Sequence, residues 1–494
     1  MLRNHAVDAG HPVPDPSDEV ALLCWAAEDG PFDAWGLGRY LTRLWWERPD
    51  LQEQYPGIFL DPEARTEFRT WVHHFGATES GIPPELTPVK PPAPVSSLPD
   101  PTSASQLQAG TTCVGYHRAV LGVGAAGRRM ARLLQASGET THLRTYDHTS
   151  APLRVPFRES DNGGTTAPAL DILLMCVNGS ETPRLSRALG QRATAGRYRI
   201  GLWGWELETF PVEQQAGFAF VDEVWTYSKF ARQAIARVAP DHISVHAIAL
   251  GTDLPAPTPE VPKFDGSSLR QEFGVPRSGP LIGFMFDYAS AIERKNPAAV
   301  IEAYCRAVPN PTGLDGSPTL VLKSINGHEF AEQERALRRQ IGARSDIVVL
   351  DRVFDGRQTA AFLSSLNCYV SLHRSEGYGL TLLEAMAYGV PVIATAYSGN
   401  LDFMSILNSW PVPYRLVPTV TSGQYPQGLV WAEADTDAAA TAIREVLSGS
   451  AEVRARSRQA WRDAQALIDP TQTSRWIRER LQNIRRTRSD QIPM

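Results

Sequence analysis

The chain has 494 residues, 43% apolar and 21% charged, enough for two or three domains with sizeable cores. Its net charge of −6 argues against a nucleic-acid partner, which favours a basic domain. No apolar run reaches the roughly 20 residues of a membrane span, and the start, MLRNHAVDAG, lacks the apolar core of a signal peptide. The expectation is therefore a soluble, cytoplasmic protein without a transmembrane segment, with contact at the membrane surface left open. Cys24, Cys113, Cys176, Cys305 and Cys368 are scattered and free of C-x-x-C, so they read as buried thiols rather than a disulfide frame or a zinc site.

Residues 1–90 read as a helical extension. Leu37, Tyr40, Leu41, Leu44 and Trp45 form one helical stripe. Asp61-Pro62 caps a second, in which Phe68, Trp71, Val72 and Phe75 share a face and Gly76 ends the run. At this spacing Trp25, Trp35, Trp45, Trp46 and Trp71 suit an aromatic core better than a sugar platform. The Pro-rich run over 82–101 leads into a linker taken as 91–109.

The next domain is taken as 110–255. Strands are expected over 112–116, 169–177, 198–203, 222–226 and 246–250, with helices over 125–135 and after Ser228. Gly122 to Gly127 spell G-x-G-x-x-G, and Asp147 follows Gly127 by 20 residues, which outlines a dinucleotide fingerprint and makes an NAD-dependent oxidoreductase the competing reading. The fingerprint wants its first Gly at the strand end, and here HRAVL intervenes. Trp203, Trp205 and Trp225 suit packing between helices and sheet. Glu206, in the loop leaving the 198–203 strand, suits either an acceptor hydroxyl or a salt bridge.

A second α/β domain is taken as 256–465, starting with a hinge at 255–262. Its strands are expected over 281–286, 347–350 and 367–372 and from 392. Arg294-Lys295 precede a helix entered at Pro297. Two cations before a helix N-terminus oppose the dipole, so their placement suggests an anion between them. Lys323 is expected at the exposed end of a buried strand. Glu376-Gly377-Tyr378-Gly379 form a polar turn, and a helix over 380–388 is closed by Gly389 and Pro391. Glu384 lies eight positions after Glu376, about 12 Å of helix rise, too far for both to serve one atom. Carboxylate, anion seat and carboxylate in that order fit a sugar, a diphosphate and a ribose. Asp435-Thr436-Asp437 reads as a helix N-cap rather than a metal D-x-D. Residues 466–494 hold a helix over 473–484 that crosses back, then a solvated basic tail, RRTRS.

The string EGYGLTLLEAMAYGVPVIAT, with its E-x7-E, resembles the signature of the retaining GT-B glycosyltransferases of family 4 (glycosyl transferases group 1). The strings SLHRSEGYGL, YSGNLDFM, LWGWELETFP and VDEVWTYSKF resemble its bacterial branch. The resemblance implies an α/β GT-B fold, two Rossmann-like domains facing across a cleft, here with the small N-terminal helical extension. It implies transfer of a hexose, with retention and without metal, from a GDP- or UDP-hexose to a glycan, lipid-linked or protein acceptor in bacterial polysaccharide or glycoconjugate synthesis. A peripheral place at the inner membrane face is compatible with it, and no cofactor beyond the donor is expected.

The same resemblance places Glu376 on the donor sugar, Glu384 on the ribose hydroxyls, and Lys295 with the amides of Gly377, Tyr378, Gly379 and Leu380 on the diphosphate. It places Arg352 and Val353 beside the base, and Gly122 and Gly124 in a glycine-rich loop approaching the donor. The family's second cation is missing from 287–292, and Arg294 or Lys323 is the candidate substitute. Many relatives carry a His in the cleft where this chain has the 204–211 loop, so Glu206 joins Glu376 and Lys295 as a candidate catalytic group. A non-catalytic nucleotide-sugar-binding protein remains the third reading.

Overall fold

The computed structural model describes residues 37–55, 58, 62–72, 107–149, 153–160, 169–252, 275, 278–310, 316–419, 425 and 428–490. The 255–262 hinge and residues 91–106 of the expected linker lie outside these residues, as do Cys24, Trp25, Trp35, Phe75 and Gly76 and the side chains of Trp46 and Trp71. The linker's last residues belong to the strand that starts at Gln108.

Two six-stranded, wholly parallel sheets dominate. The first takes β1 (Gln108–Gly115), β2 (Thr141–Thr145), β3 (Leu170–Cys176), β4 (Tyr198–Leu202), β5 (Glu223–Thr226) and β6 (Ser244–Ala247) in the order β2-β1-β3-β4-β5-β6. The second takes β7 (Leu281–Asp287), β8 (Thr319–Ile325), β9 (Ile347–Asp351), β10 (Cys368–Ser371), β11 (Val392–Thr395) and β12 (Trp410–Val412) in the order β12-β11-β10-β7-β8-β9. Strands of a parallel sheet are covered on both faces and so read as continuous apolar runs, as LDILLMC of β3 does. Strand order reverses between β1 and β3 in one sheet and between β7 and β10 in the other. Loops leaving those strands splay apart there and open a crevice.

An antiparallel hairpin, β13 (Tyr414–Pro418) with β14 (Val430–Ala434), follows the second sheet and carries Trp431. It escaped the sequence reading, as did the edge strands β2 and β12. Edge strands are short, and the hairpin's connection is not a tight Gly turn. Strand β6 starts two residues earlier than expected, and Ile248 still donates to the Thr226 carbonyl beyond its end.

The helix Pro470–Asp490 packs across the first sheet. Ile477, Leu481 and Ile484 share a buried core with Met130, Leu134 and Trp225, and Trp476 meets Trp225 edge-on at 5.3 Å. The expected solvated tail is corrected: the helix runs on through RRTRS, and Arg485 bridges Asp171 (2.8 Å) and Glu139 (2.5 Å). Two unbalanced carboxylates at the sheet's end draw that arginine in. Trp203, Trp205 and Trp225 are all buried packing residues. In the N-terminal part, the helices Gly38–Glu47, Pro49–Gln54 and Pro62–Trp71 bury Leu41, Trp45, Leu51, Tyr55, Phe68 and Val72 together, a core rather than an exposed aromatic platform.

Candidate active site

The site stands where the second sheet reverses. The loop after β7 supplies Arg294 and Lys295. The loop after β10 supplies Glu376. Arg294 and Lys295 end the one-turn helix Ile292–Lys295, and Asn296, left-handed at φ 55°, then caps the helix Pro297–Ala307. This corrects the dipole argument, because the cations close one helix before they precede the next.

Glu376 accepts from Lys295 Nζ at 2.5 Å, and Arg294 Nη1 lies 3.3 Å from its other oxygen. Arg294 is itself buried and donates to the carbonyls of Ser375 (2.8 Å) and Ser290 (3.3 Å). Burial works against the Glu376 charge, but Lys295 and Arg294 outweigh it and hold the carboxyl down at about 2. Burial in turn pulls Lys295 below its ordinary value, with Glu376 opposing. Neighbouring His373 is buried and held below its ordinary value by desolvation. Its Nε2 faces two acceptors, Tyr397 O (3.3 Å) and Asn400 Oδ1 (3.2 Å), so that nitrogen carries the hydrogen.

The helix Leu380–Ala387 begins at Gly379, whose φ of +88° suits glycine. The amides of Gly379 and Leu380 stand at that helix start, where no carbonyl precedes them by a turn, and Gly377 and Tyr378 form the turn leading into it. Glu384, one turn in, is met from the first domain: Arg129 Nη2 lies at 2.6 Å and Thr252 Oγ1 at 3.2 Å from its Oε1. The first domain also closes over the turn. Ser375 Oγ donates to the Glu206 carbonyl, and a Cβ on Gly377 would sit 3.1 Å from Trp205 O and 3.6 Å from Glu206 Cγ. Trp205 reaches Tyr425 at 5.9 Å, and Tyr425 reaches Trp431 of the hairpin at 6.2 Å. Arg374 ties the hairpin down through Glu433 at 2.5 Å.

Further along the sheet, Lys323 lies inside β8, buried rather than exposed at the strand end as expected. Its long stem rises along the face it shares with Met285 and Leu350. Arg352 lies over the Phe354 ring at 5.4 Å, and Val353 between them is half-buried.

The expected glycine loop is corrected as well. Gly122 and Gly124 belong to the first turn of the helix Gly122–Ala136. A Cβ on Gly124 would meet the carbonyls of Tyr116 (2.5 Å) and Ala119 (2.8 Å), and one on Gly127 would meet the His117 ring at 3.1 Å, so both glycines serve close packing, while Gly122 has open space. Asp147, the fingerprint's acid, is paired with Arg118 at 2.9 Å. These contacts take the oxidoreductase reading apart. Asp435 accepts from the amides of Asp437 and Ala438 as an N-cap, and Asp437 pairs with Arg306 at 2.5 Å.

Residues 231–472 match the family described as "Family 4 Glycosyltransferase in conflict systems". That match covers just under half of the chain and is to the family 4 glycosyltransferases. A stretch of 159 residues is 30% identical to D-inositol 3-phosphate glycosyltransferase of Xylanimonas cellulosilytica, over 31% of this chain and 36% of that protein, so the alignment spans about a third of that relative. In fold this chain is similar to Anabaena HepE in complex with UDP-glucose (TM-score 0.54, 13% identity, 76% of this chain and 99% of that one). It is equally similar to sucrose-phosphate synthase from Thermosynechococcus elongatus (TM-score 0.54, 16% identity, 77% and 100%). The two-domain α/β architecture of the chain is therefore GT-B.

Sequence reasoning missed Arg129 and Thr252. Arg129 sits in GRRMARLLQ, where nothing separates it from Arg128, which bonds the His117 and Ala119 carbonyls instead.

Proposed function

We propose that this glycosyltransferase moves a hexosyl group from UDP- or GDP-hexose to a hydroxyl of a glycan, lipid-linked or protein acceptor, with retention and without metal, in the cytoplasm. The observation that carries the reading is the convergence of Arg294, Lys295, Glu376 and a helix start at the reversal of the second sheet, with Glu206 facing them from the first. A diphosphate seated on the amides of Gly377–Leu380 draws Lys295 off Glu376 and frees that carboxylate for the sugar hydroxyls. Lys295, Arg294 and the helix start then offset the charge that develops on the leaving diphosphate. Glu376, clamped between two cations, is a positioner of the sugar rather than a nucleophile. Glu384 takes the ribose hydroxyls once Arg129 lets go. Glu206 is placed for the acceptor side.

Incubation with UDP- and GDP-hexoses, with product anomers read by NMR, tests this. Transfer with retained configuration supports it, and inversion or absence of donor binding sinks it. Among the described residues no helix is long and apolar enough to cross a membrane. Contact with the inner membrane face is a matter for vesicle sedimentation.

A further inference from the structure

Lys323 is 6% exposed. Its ammonium lies 4.9 Å from the centre of the Phe354 ring, with the Arg352 guanidinium on the same ring. The two carboxylates nearest to it are engaged elsewhere. Asp287 Oδ1 accepts from Ala289 N (2.9 Å) and Asn326 Nδ2 (2.8 Å), and Asp351 accepts from Ser324 Oγ (2.9 Å) and Gly327 N (3.0 Å). Among the described residues no group accepts a hydrogen bond from Lys323 Nζ. The residue is buried but its ammonium is not among the sealed, unpartnered polar atoms, so a ligand reaching it can supply the acceptor that the described residues do not.

The place of Lys323 in the sheet tells which part of the ligand. The helix start and Glu376 follow β10, Lys295 follows β7, and Lys323 rises from β8 beside the turn after β9. β8 is two strands from β10, about 10 Å across. A nucleoside diphosphate with its phosphates at the helix start extends its base over that distance. The phosphate end already holds two cations, Arg294 and Lys295. At the other end Phe354 offers an apolar ring and Lys323 an ammonium that donates to none of the described residues.

We propose that Lys323 selects the donor's base, its ammonium donating to the exocyclic carbonyl of uracil (O4) or guanine (O6). Cytosine and adenine present an amino group at that position and leave the ammonium unpaired, which is the kind of mismatch that discriminates strongly. Burial holds the ammonium down to about 8, with Asp287 and Asp351 opposing and Arg352 adding to the shift, so the site favours a partner that restores the charge. The inference rests on the donor-site reading above.

The test is calorimetry on the full chain with UDP against CDP, GDP against ADP, and inorganic pyrophosphate. The wild type is expected to prefer the oxo base within at least one ring size by about tenfold or more. Lys323→Met is expected to erase that preference while pyrophosphate affinity stays unchanged. Equal loss for every nucleotide and for pyrophosphate makes Lys323 a phosphate cation and overturns the proposal, as does a preference that survives the substitution. Should Lys323→Met fail to fold, the wild-type series decides alone: oxo and amino bases binding alike within both ring sizes overturns it. Failure of every nucleotide and pyrophosphate to bind the wild type removes the donor-site reading itself, and the base proposal with it. Binding of pyrophosphate and all nucleotides without base preference removes only the latter.

Discussion

Arg129 of the first domain and Glu384 of the second meet at 2.6 Å, with side chains 4% and 8% exposed. They stand 255 positions apart on the helices Gly122–Ala136 and Leu380–Ala387. The carboxylate proposed for the ribose is thus held by the opposite domain, so domain closure and donor compete for the same oxygens.

Removing one member of a buried ion pair leaves the other uncompensated, at a cost of about 3–5 kcal/mol. Arg129→Met is expected to lower the unfolding free energy by that order in urea titrations, and to tighten nucleoside diphosphate binding because Glu384 no longer has a competitor. A variant with wild-type stability and wild-type affinity would place the pair in water and end the competition argument.

Glu376 and Glu384 are expected to fail differently. Glu384→Gln should weaken nucleoside diphosphate alone, because charge-assisted hydrogen bonds are roughly twice as strong as neutral ones. Glu376→Gln should leave nucleoside diphosphate affinity nearly intact while transfer and sugar selectivity fall. Equal loss of nucleoside diphosphate affinity in both variants contradicts the assignment of the two carboxylates to opposite ends of the donor.

Lys295→Ala should weaken nucleoside diphosphate and intact donor alike, by about 1.5–3 kcal/mol for a charge-assisted contact. Unchanged affinity in the folded variant, measured by calorimetry, would leave Lys295 as the partner of Glu376 and nothing more.

Acid should dissolve the Glu376 clamp. Its carboxyl falls from 4.5 to about 2 on folding, so the unfolded chain binds the proton more readily and stability rises with pH across that interval. The contribution is complete above about 4.5 and is lost as pH drops towards about 2. The stability gap between wild type and Glu376→Gln should shrink over that window, and a gap independent of pH from 5 to 2 would show that the carboxylate is not clamped by charge.

Metal independence is tested at the acidic pair Asp435 and Asp437. Transfer should survive EDTA. Asp435→Asn with Asp437→Asn should cost about 1 kcal/mol or less, the scale of a helix cap. Activity lost to EDTA and recovered with Mn²⁺ would contradict it.

The local signals in this chain were strong where chemistry is local. Gly379, Gly389 and Pro391 mark both ends of the helix that carries Glu384, and apolar runs mark the central strands, because turn geometry and burial on both faces constrain nearby residues directly. The reading of Glu376 and Glu384 as two helical turns apart is corrected, because the helix starts only at Leu380 and Glu376 lies in the turn before it. Weak signals belonged to edges: β2, β12 and the hairpin β13–β14 are short and partly solvated, and their patterns resemble loops.

What the sequence determined by itself was therefore the run of elements, the GT-B resemblance and the residues bordering the β10 turn. What only the tertiary structure decided was which charges face each other: Lys295 with Glu376 over 81 positions, Arg129 with Glu384 over 255, Arg485 with Asp171 over 314. It also decided that Lys323 lies inside a buried strand rather than at an exposed end, and that Gly124 packs close to the Tyr116 and Ala119 carbonyls. The reason is physical. A helix or turn is specified by neighbours a few residues away. The partner of a buried charge is fixed by the topology that brings distant strands side by side, and an arginine in a helix carries no mark of the domain it will face.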